Sequence, residues 1–194
     1  MSPAPESPAL PPGYRLVVVR TTFLEMTEPP RTPPVPRPCG CEVQRWQRPG
    51  LDEYRRLFCA VGDEWGWSGR LILKNGALQE VLHAETDEIY RLFCDQRVAG
   101  FAELDRSIAG QAEIAYFGLL PAFIGQGLGK FFLDWTIRKA WENATGRVWL
   151  HTCEFDHPRA LAAYLKAGFS VGSEKAETQP YAEEFLTRRA ADGG

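Results

Sequence analysis

The sequence predicts a mixed α+β fold, a central sheet flanked by helices. Three observations carry this reading. Tyr14–Met26 (YRLVVVRTTFLEM) is dense in β-branched and apolar residues, the composition of a strand. The apolar spacing is helical over residues 51–84 and becomes strand-like from Glu88. After Gln111 the pattern runs strand, helix, strand, helix, strand, which suits a sheet covered by helices.

Each element follows from local chemistry. Eleven of the fifteen prolines fall within the first 38 residues. Residues 1–13 read as a disordered tail ahead of a single domain spanning 14–194. Thr27–Gly40 (TEPPRTPPVPRPCG) is neither helix nor central strand, because proline lacks an N–H and fixes φ. It reads as a stiff extended loop, with docking of a proline-binding partner as the alternative. Cys41–Trp46 reads as a strand closed by Pro49 and Gly50. Leu51, Tyr54, Leu57, Phe58 and Val61 mark a helix, and a tryptophan-loaded loop follows over residues 62–70. Asn75–Ala84 reads as a second short helix. Ile89–Cys94, Arg97–Asp105 and Gln111–Leu119 form an antiparallel meander. Residues 127–143 make an amphipathic helix, Arg147–Thr152 a strand, and Pro158–Lys166 a helix ended by Gly168. Phe169–Val171 and Lys175–Thr178 are expected as two last strands.

Composition excludes several functional classes. At 194 residues and 44% hydrophobic the chain can bury a core. A formal net charge of −3 argues against a general grip on nucleic acid. No apolar run reaches the ~20 residues that span a bilayer. The N-terminus lacks the basic and apolar regions of a secretory signal, so a soluble cytoplasmic protein is expected, without membrane or nucleic-acid partners. Five scattered cysteines fit a reduced compartment better than a disulfide framework. Cys39 and Cys41 have no second pair to complete a zinc set, and no metal is expected.

The chemistry concentrates in Gln111–Trp141. A strand ends near Leu119, Pro121 turns the chain, and Gly125, Gly127 and Gly129 precede a long helix. Alternate glycines let backbone N–H groups approach an anion, where the helix N-terminus adds positive potential. A plain glycine turn that only starts a helix is the competing reading. A Walker A loop would need glycine at Ile124 and Ser or Thr at Phe131, and a dinucleotide fingerprint would need glycine at Lys130.

What remains resembles the GNAT superfamily of acyl-CoA-dependent N-acetyltransferases. Their (Q/R)-x-x-G-x-(G/A) signature corresponds to Ile124-Gly125-Gln126-Gly127-Leu128-Gly129, with Ile124 replacing the leading polar residue. Downstream, Ala160, Tyr164, Gly168 and Phe169 match the family block in register, and His157 stands where asparagine is common. The two blocks cover roughly residues 88–171. The resemblance implies a mostly antiparallel sheet with its fourth and fifth strands splayed. It implies that backbone amides from Gly125 to Lys130, through Gln126, Gly127, Leu128 and Gly129, hold the coenzyme A pyrophosphate. Leu119 would contribute its backbone to the pantetheine, beside His157.

Acetyl transfer from acetyl-CoA to an amine needs a base for the ammonium and an acid for the leaving thiolate. The resemblance points to Glu113 as base and Tyr164 as acid, with His151 the rival base. A solvated strand carboxylate and a core tyrosine are the bland alternatives. Trp65, Trp67 and Arg70 are expected to wall the acceptor pocket, Arg70 pairing with an acceptor carboxylate. Asp63 and Glu64 would instead attract a cationic amine, and tryptophans that merely cap the core are the plainer reading. The expected function is N-acetylation of a primary amine on a small molecule or peptide, by direct attack. A catalytically silent acyl-CoA sensor is the alternative, and a homodimer is compatible with the family.

Overall fold

The computed structural model describes residues 10–142 and 146–192. Seven strands form one sheet: β1 (Tyr14–Met26), β2 (Cys41–Arg45), β3 (Asp87–Cys94), β4 (Arg97–Asp105), β5 (Gln111–Leu119), β6 (Arg147–Cys153) and β7 (Ser170–Ala182). Their order is β2-β3-β4-β5-β6-β1-β7. Every neighbouring pair is antiparallel except β5–β6. The helices are α1 (Leu51–Gly62), α2 (Asn75–His83), α3 (Leu128–Ala140), α4 (Ala160–Lys166) and α5 (Glu183–Asp192).

The sheet is covered on both faces. Leu104, Ile114, Val148 and Leu150 pack with Leu133 and Ile137 of α3, and Tyr164 of α4 lies against the same cluster. Ile89 and Phe101 pack on the opposite face with Tyr54 and Phe58 of α1 and Leu78 of α2. Strand alternation puts Leu24 and Met26 of β1 on the α3 side, and Val19 under Phe185 of α5.

The end of the chain departs from expectation. In place of two short strands, β7 runs unbroken for 13 residues against β1. Gly172 is the extra residue of a bulge, where the register passes from Phe23↔Ser173 to Leu24↔Val171. Pro180 is tolerated because β7 is an edge strand. Helix α5 has no counterpart in the sequence reading; it is anchored by Phe185 against Tyr181 and Phe155. Helix α4 starts at Ala160 rather than Pro158, and α3 ends at Ala140. Of the tail expected at 1–13, residues 1–9 lie outside the described residues. Pro11 and Gly13 are tied by backbone bonds to Tyr14 and Glu183.

The cysteine expectation is corrected outright. Cys41 and Cys94 face each other across β2 and β3 and form a disulfide, with Cα atoms 4.1 Å apart. Strand register, not sequence spacing, creates that pair. Among the described residues no group of three or more His, Cys, Asp or Glu is placed to hold a metal. No described helix is long and apolar enough to cross a membrane.

The bond closes a loop with a sequence separation of 53 residues. A disulfide of this kind constrains the unfolded chain and adds roughly 2–4 kcal/mol. Reduction, or Cys41→Ser with Cys94→Ser, should therefore lower Tm by roughly 4–16 °C. Identical melting in oxidising and reducing buffer would show that the pair does not stabilise the fold.

Candidate active site

The site begins where β5 and β6 part. The two strands pair only at Gln111↔Arg147, Ala112↔Val148 and Glu113↔Trp149, although β5 continues to Leu119 and β6 to Cys153. This is the splay implied by the resemblance. Just past the last pair, β5 carries a bulge: Leu104 faces Ile114 and Glu103 faces Tyr116, leaving Ala115 as the extra residue. Such an insertion bends the strand and re-aims its side chains. Beyond it, no strand among the described residues pairs with the β6-facing edge of β5.

A cavity of about 830 Å³ occupies the parting. It touches both layers of the fold. On the α3 side it is lined by Gly125, Gly127, Gly129 and Lys130, and by Tyr164 and Ala167 of α4. On the other side it reaches Val61, Trp65, Trp67, Tyr116 and His151. Leu119 and His157 line it as well.

The glycine loop has the form an anion cradle requires. Gly125 and Gly127 hold φ of 83° and 80°, a left-handed backbone open to glycine, and a Cβ at either would meet nothing within 4 Å. Gly127 is the N-cap of α3, so the first-turn N–H groups lack helical partners and point into the loop. Gln126 turns away and donates to the Ala122 carbonyl. Leu128 is buried among Leu92, Phe123 and Phe132, where it anchors the helix. Neither residue lines the cavity.

On the opposite face the structure brings the two candidate bases together. Alternation along β6 sets Val148 and Leu150 toward α3 and Trp149 and His151 away from it. His151 lines the cavity, and its Nδ1 lies 3.3 Å from Glu113 Oε1. Glu113 does not line the cavity; it stands behind the imidazole. Burial pulls the His151 pKa down, but the hydrogen bond and charge of Glu113 outweigh it, with help from Asp156 and Glu177. The net pKa lies above the usual 6.5. Phe23 packs on the same ring at 5.7 Å. Across the gap, burial and the charge of Asp156 raise the Tyr164 hydroxyl pKa, which keeps its proton on.

The tryptophan loop closes one end. Trp65 meets His157 edge-on at 4.9 Å, and His157 Nδ1 accepts from Arg159 N at the head of α4. Trp67 packs at a tilt on Tyr116, with ring centroids 5.2 Å apart, and donates from Nε1 to Asp156. Asp156 escaped the sequence reading. It also accepts from Thr152 Oγ1 and Cys153 N, so it fixes the turn after β6. An aspartate in a short turn after a strand is too common a signal to have singled it out.

Arg70 is a correction: it is not free to meet an acceptor carboxylate. Its Nε and Nη2 both bond Glu103 on β4, which is fully buried and also accepts from Tyr54 Oη at 2.5 Å. Burial works against the guanidinium charge and the Glu103 carboxylate outweighs it. Glu103 is the one charge in the run VAGFAEL. A lone acid in an apolar strand demands a partner, and that was the missed signal. Asp63, considered for an amine, is paired with Arg188 at 3.0 Å. Cys153 is partly buried, its Sγ 3.4 Å from Tyr181 Oη; burial and Asp156 raise its thiol pKa, unlike an activated nucleophile.

With this geometry the comparisons agree. Residues 45–169, more than half of the chain, match the Acetyltransferase (GNAT) family. The chain belongs to that family. The fold is similar to a GCN5-related N-acetyltransferase from Kribbella flavida, with TM-score 0.59 and 18% identity over 84% of this chain and 59% of that one. The chain thus spans under two thirds of that protein's length. It is also similar to a putative GNAT-family acetyltransferase from Novosphingobium aromaticivorans, with TM-score 0.59 and 22% identity over 92% of this chain and 71% of that one. A Bacillus subtilis acetyltransferase in complex with CoA aligns with TM-score 0.54 and 19% identity, over 69% of this chain and 78% of that one. Among curated proteins no sequence matches the chain.

The Arg70 assignment has a direct test. Removing one partner of a buried ion pair strands the other, at a cost of roughly 3–5 kcal/mol. Arg70→Met should lower unfolding free energy by that order in a denaturant titration. A variant of native stability with only a raised KM for an acceptor would restore Arg70 to substrate binding.

Proposed function

We propose that the protein transfers an acetyl group from acetyl-CoA to a primary amine of a small molecule or peptide by direct attack. The observation that carries this is the single cavity through the β5–β6 parting, with the glycine cradle on one sheet face and His151 on the other. A donor and an acceptor can meet there without sharing an approach. The CoA complex of the similar Bacillus subtilis acetyltransferase supports the choice of coenzyme.

The residues divide the work as follows. Backbone amides from Gly125 to Lys130 hold the pyrophosphate, and the Lys130 ammonium adds charge. The unpaired edge of β5 up to Leu119 offers backbone groups to the pantetheine, which lies alongside as an added strand. His151 takes a proton from the bound ammonium to leave the neutral, nucleophilic amine, and Glu113 orients the imidazole and stabilises its charged form. The amine nitrogen bonds to the thioester carbonyl carbon, the carbon–sulfur bond breaks, and Tyr164 gives its proton to the departing thiolate. Trp65, Trp67 and Tyr116 wall the acceptor. No cysteine relay is needed.

The first test is melting with acetyl-CoA, CoA and ATP. At about 100 Kd a specific ligand adds about 2.7 kcal/mol, a rise of roughly 5–11 °C at this size. Acetyl-CoA and CoA should raise Tm and ATP should not; no shift at millimolar ligand would end the coenzyme reading. Thiol release with an amine panel then separates an enzyme from a silent acyl-CoA sensor.

The base assignment predicts a pH signature. The imidazole must be neutral to accept a proton, so kcat/KM should fall as pH drops through a value above 6.5. His151→Gln should lower kcat by roughly 10²–10⁴-fold and erase that limb. In Glu113→Gln the strongest raising partner is gone while burial remains, so the limb should move to lower pH. An unmoved limb would separate Glu113 from the base.

A further inference from the structure

We propose that Pro30–Val35 is a wall of the coenzyme site, closing the groove between α3 and α4 over the pantetheine arm, with Asp134 and Arg138 as its positioning residues. The inference rests on the acetyl-CoA reading above. The segment lies outside residues 45–169, so it is an addition to the part of the chain that defines the family.

The groove has two helical sides. Helix α3 presents Gly129, Lys130, Leu133 and Asp134, and α4 with its two ends presents Ala160, Ala163, Tyr164 and Ala167 between the cationic Arg159 and Lys166. Both spacings follow one helix face. The three alanines keep the α4 side shallow, which leaves a slot instead of packed side chains. Pro30, Thr32, Pro33 and Val35 line the same cavity. Val35 also packs against the core cluster that contains Leu128 and Phe132.

Proline chemistry suits this position. A strand or an ordinary loop over an apolar slot would present N–H groups that need partners. In Pro33-Pro34-Val35-Pro36 only Val35 has an N–H, and it donates to Asp134 Oδ2 at 3.0 Å. The Thr32 carbonyl accepts from Arg138 Nη2 at 2.8 Å. Asp134 and Arg138 are themselves paired one turn apart, at 2.9 Å. The clamp on α3 thus takes up these two polar groups, and proline rings remain for the cavity. Both ends are fixed as well, by β1 before Thr27 and by the Cys41–Cys94 bond after Gly40. A wall with fixed φ loses little entropy when a ligand arrives.

The chemistry of the slot selects which part of the coenzyme lies there. Phosphates belong at the glycine loop and Lys130. An apolar wall of proline and valine facing alanines fits the methyl-bearing amide chain.

The test is equilibrium binding by calorimetry, with CoA and with adenosine 3′,5′-bisphosphate, which lacks the pantetheine. Asp134→Ala frees the clamp, and Pro33→Asp puts a charge on the wall without touching α3. Each should weaken CoA by about tenfold, the order of one lost charge-assisted contact, and leave the bisphosphate unchanged. In the wild-type protein, CoA should slow amide hydrogen exchange at Thr32 and Val35, and the bisphosphate should not. Normal CoA affinity in both variants, or equal losses for CoA and the bisphosphate, would overturn the wall. Exchange unaltered by bound CoA would do the same. A wild-type protein that binds no CoA would instead remove the coenzyme reading itself, and this inference with it.

Discussion

The molecule is organised around one interrupted strand pair. β5 and β6 hold three residue pairs and then separate, and every feature of the site sits in or on the resulting opening. Backbone N–H and C=O groups at a parting inside a sheet have no strand to satisfy them, which is costly unless water or a ligand does so. The bulge at Ala115 makes the separation structural rather than a local fraying. It also sends Ile114 and Tyr116 to opposite layers, toward α3 and α1 respectively.

A sheet split in its middle needs to be held together elsewhere, and β1 does this. The first strand of the chain lies between β6 and the last strand, pairing with β6 at Thr21–Met26 and with β7 along Tyr14–Glu25. Without it, β6 would be an edge supported by three pairs, and His151 would have no Phe23 beside it. The N-terminal segment is therefore structural to the site even though it lies outside the family match. The same segment continues into the proline-rich stretch, so one length of chain both packs Phe23 against His151 and lines the cavity. Contacts between residues 14–26 and 147–182 are among the most distant in sequence, and such contacts form late because loop closure must be achieved first.

How much of this was legible in the sequence depends on the range of the interaction. Elements with their own periodicity, such as α1 and the β3–β5 meander, were read correctly because pattern and turn chemistry are local. The glycine loop was legible for the same reason: left-handed Gly125 and Gly127 announce themselves. The placement of β1 was not legible, since a strand carries no mark of which strand it will join. Cys41 and Cys94 were misread because register alone brings them opposite. Strand β7 was cut in two at Gly172, which the partner strand absorbs as a bulge. Residue roles show the same limit. Glu113 and His151 were seen as rivals, and only the Glu113↔Trp149 pairing across β5–β6 brings the two side chains within 3.3 Å. Arg70 was offered to a substrate because nothing local says that Glu103, 33 residues on, lies beneath it.

Glu103 and Glu113, on neighbouring strands, sit in opposite electrostatic settings for one physical reason. Glu103 is sealed from water and must be neutralised within the fold, so it consumes Arg70 and the Tyr54 hydroxyl and has no capacity left for chemistry. Glu113 is partly exposed beside the opening, with one imidazole as its partner and that imidazole facing the cavity. A carboxylate in that position can lend its charge to a proton on its neighbour and withdraw nothing from the core. Trp65, Trp67, Tyr116 and the His151 imidazole face the cavity together with Lys130, Arg159 and Lys166, while Arg70 is held in the core by Glu103.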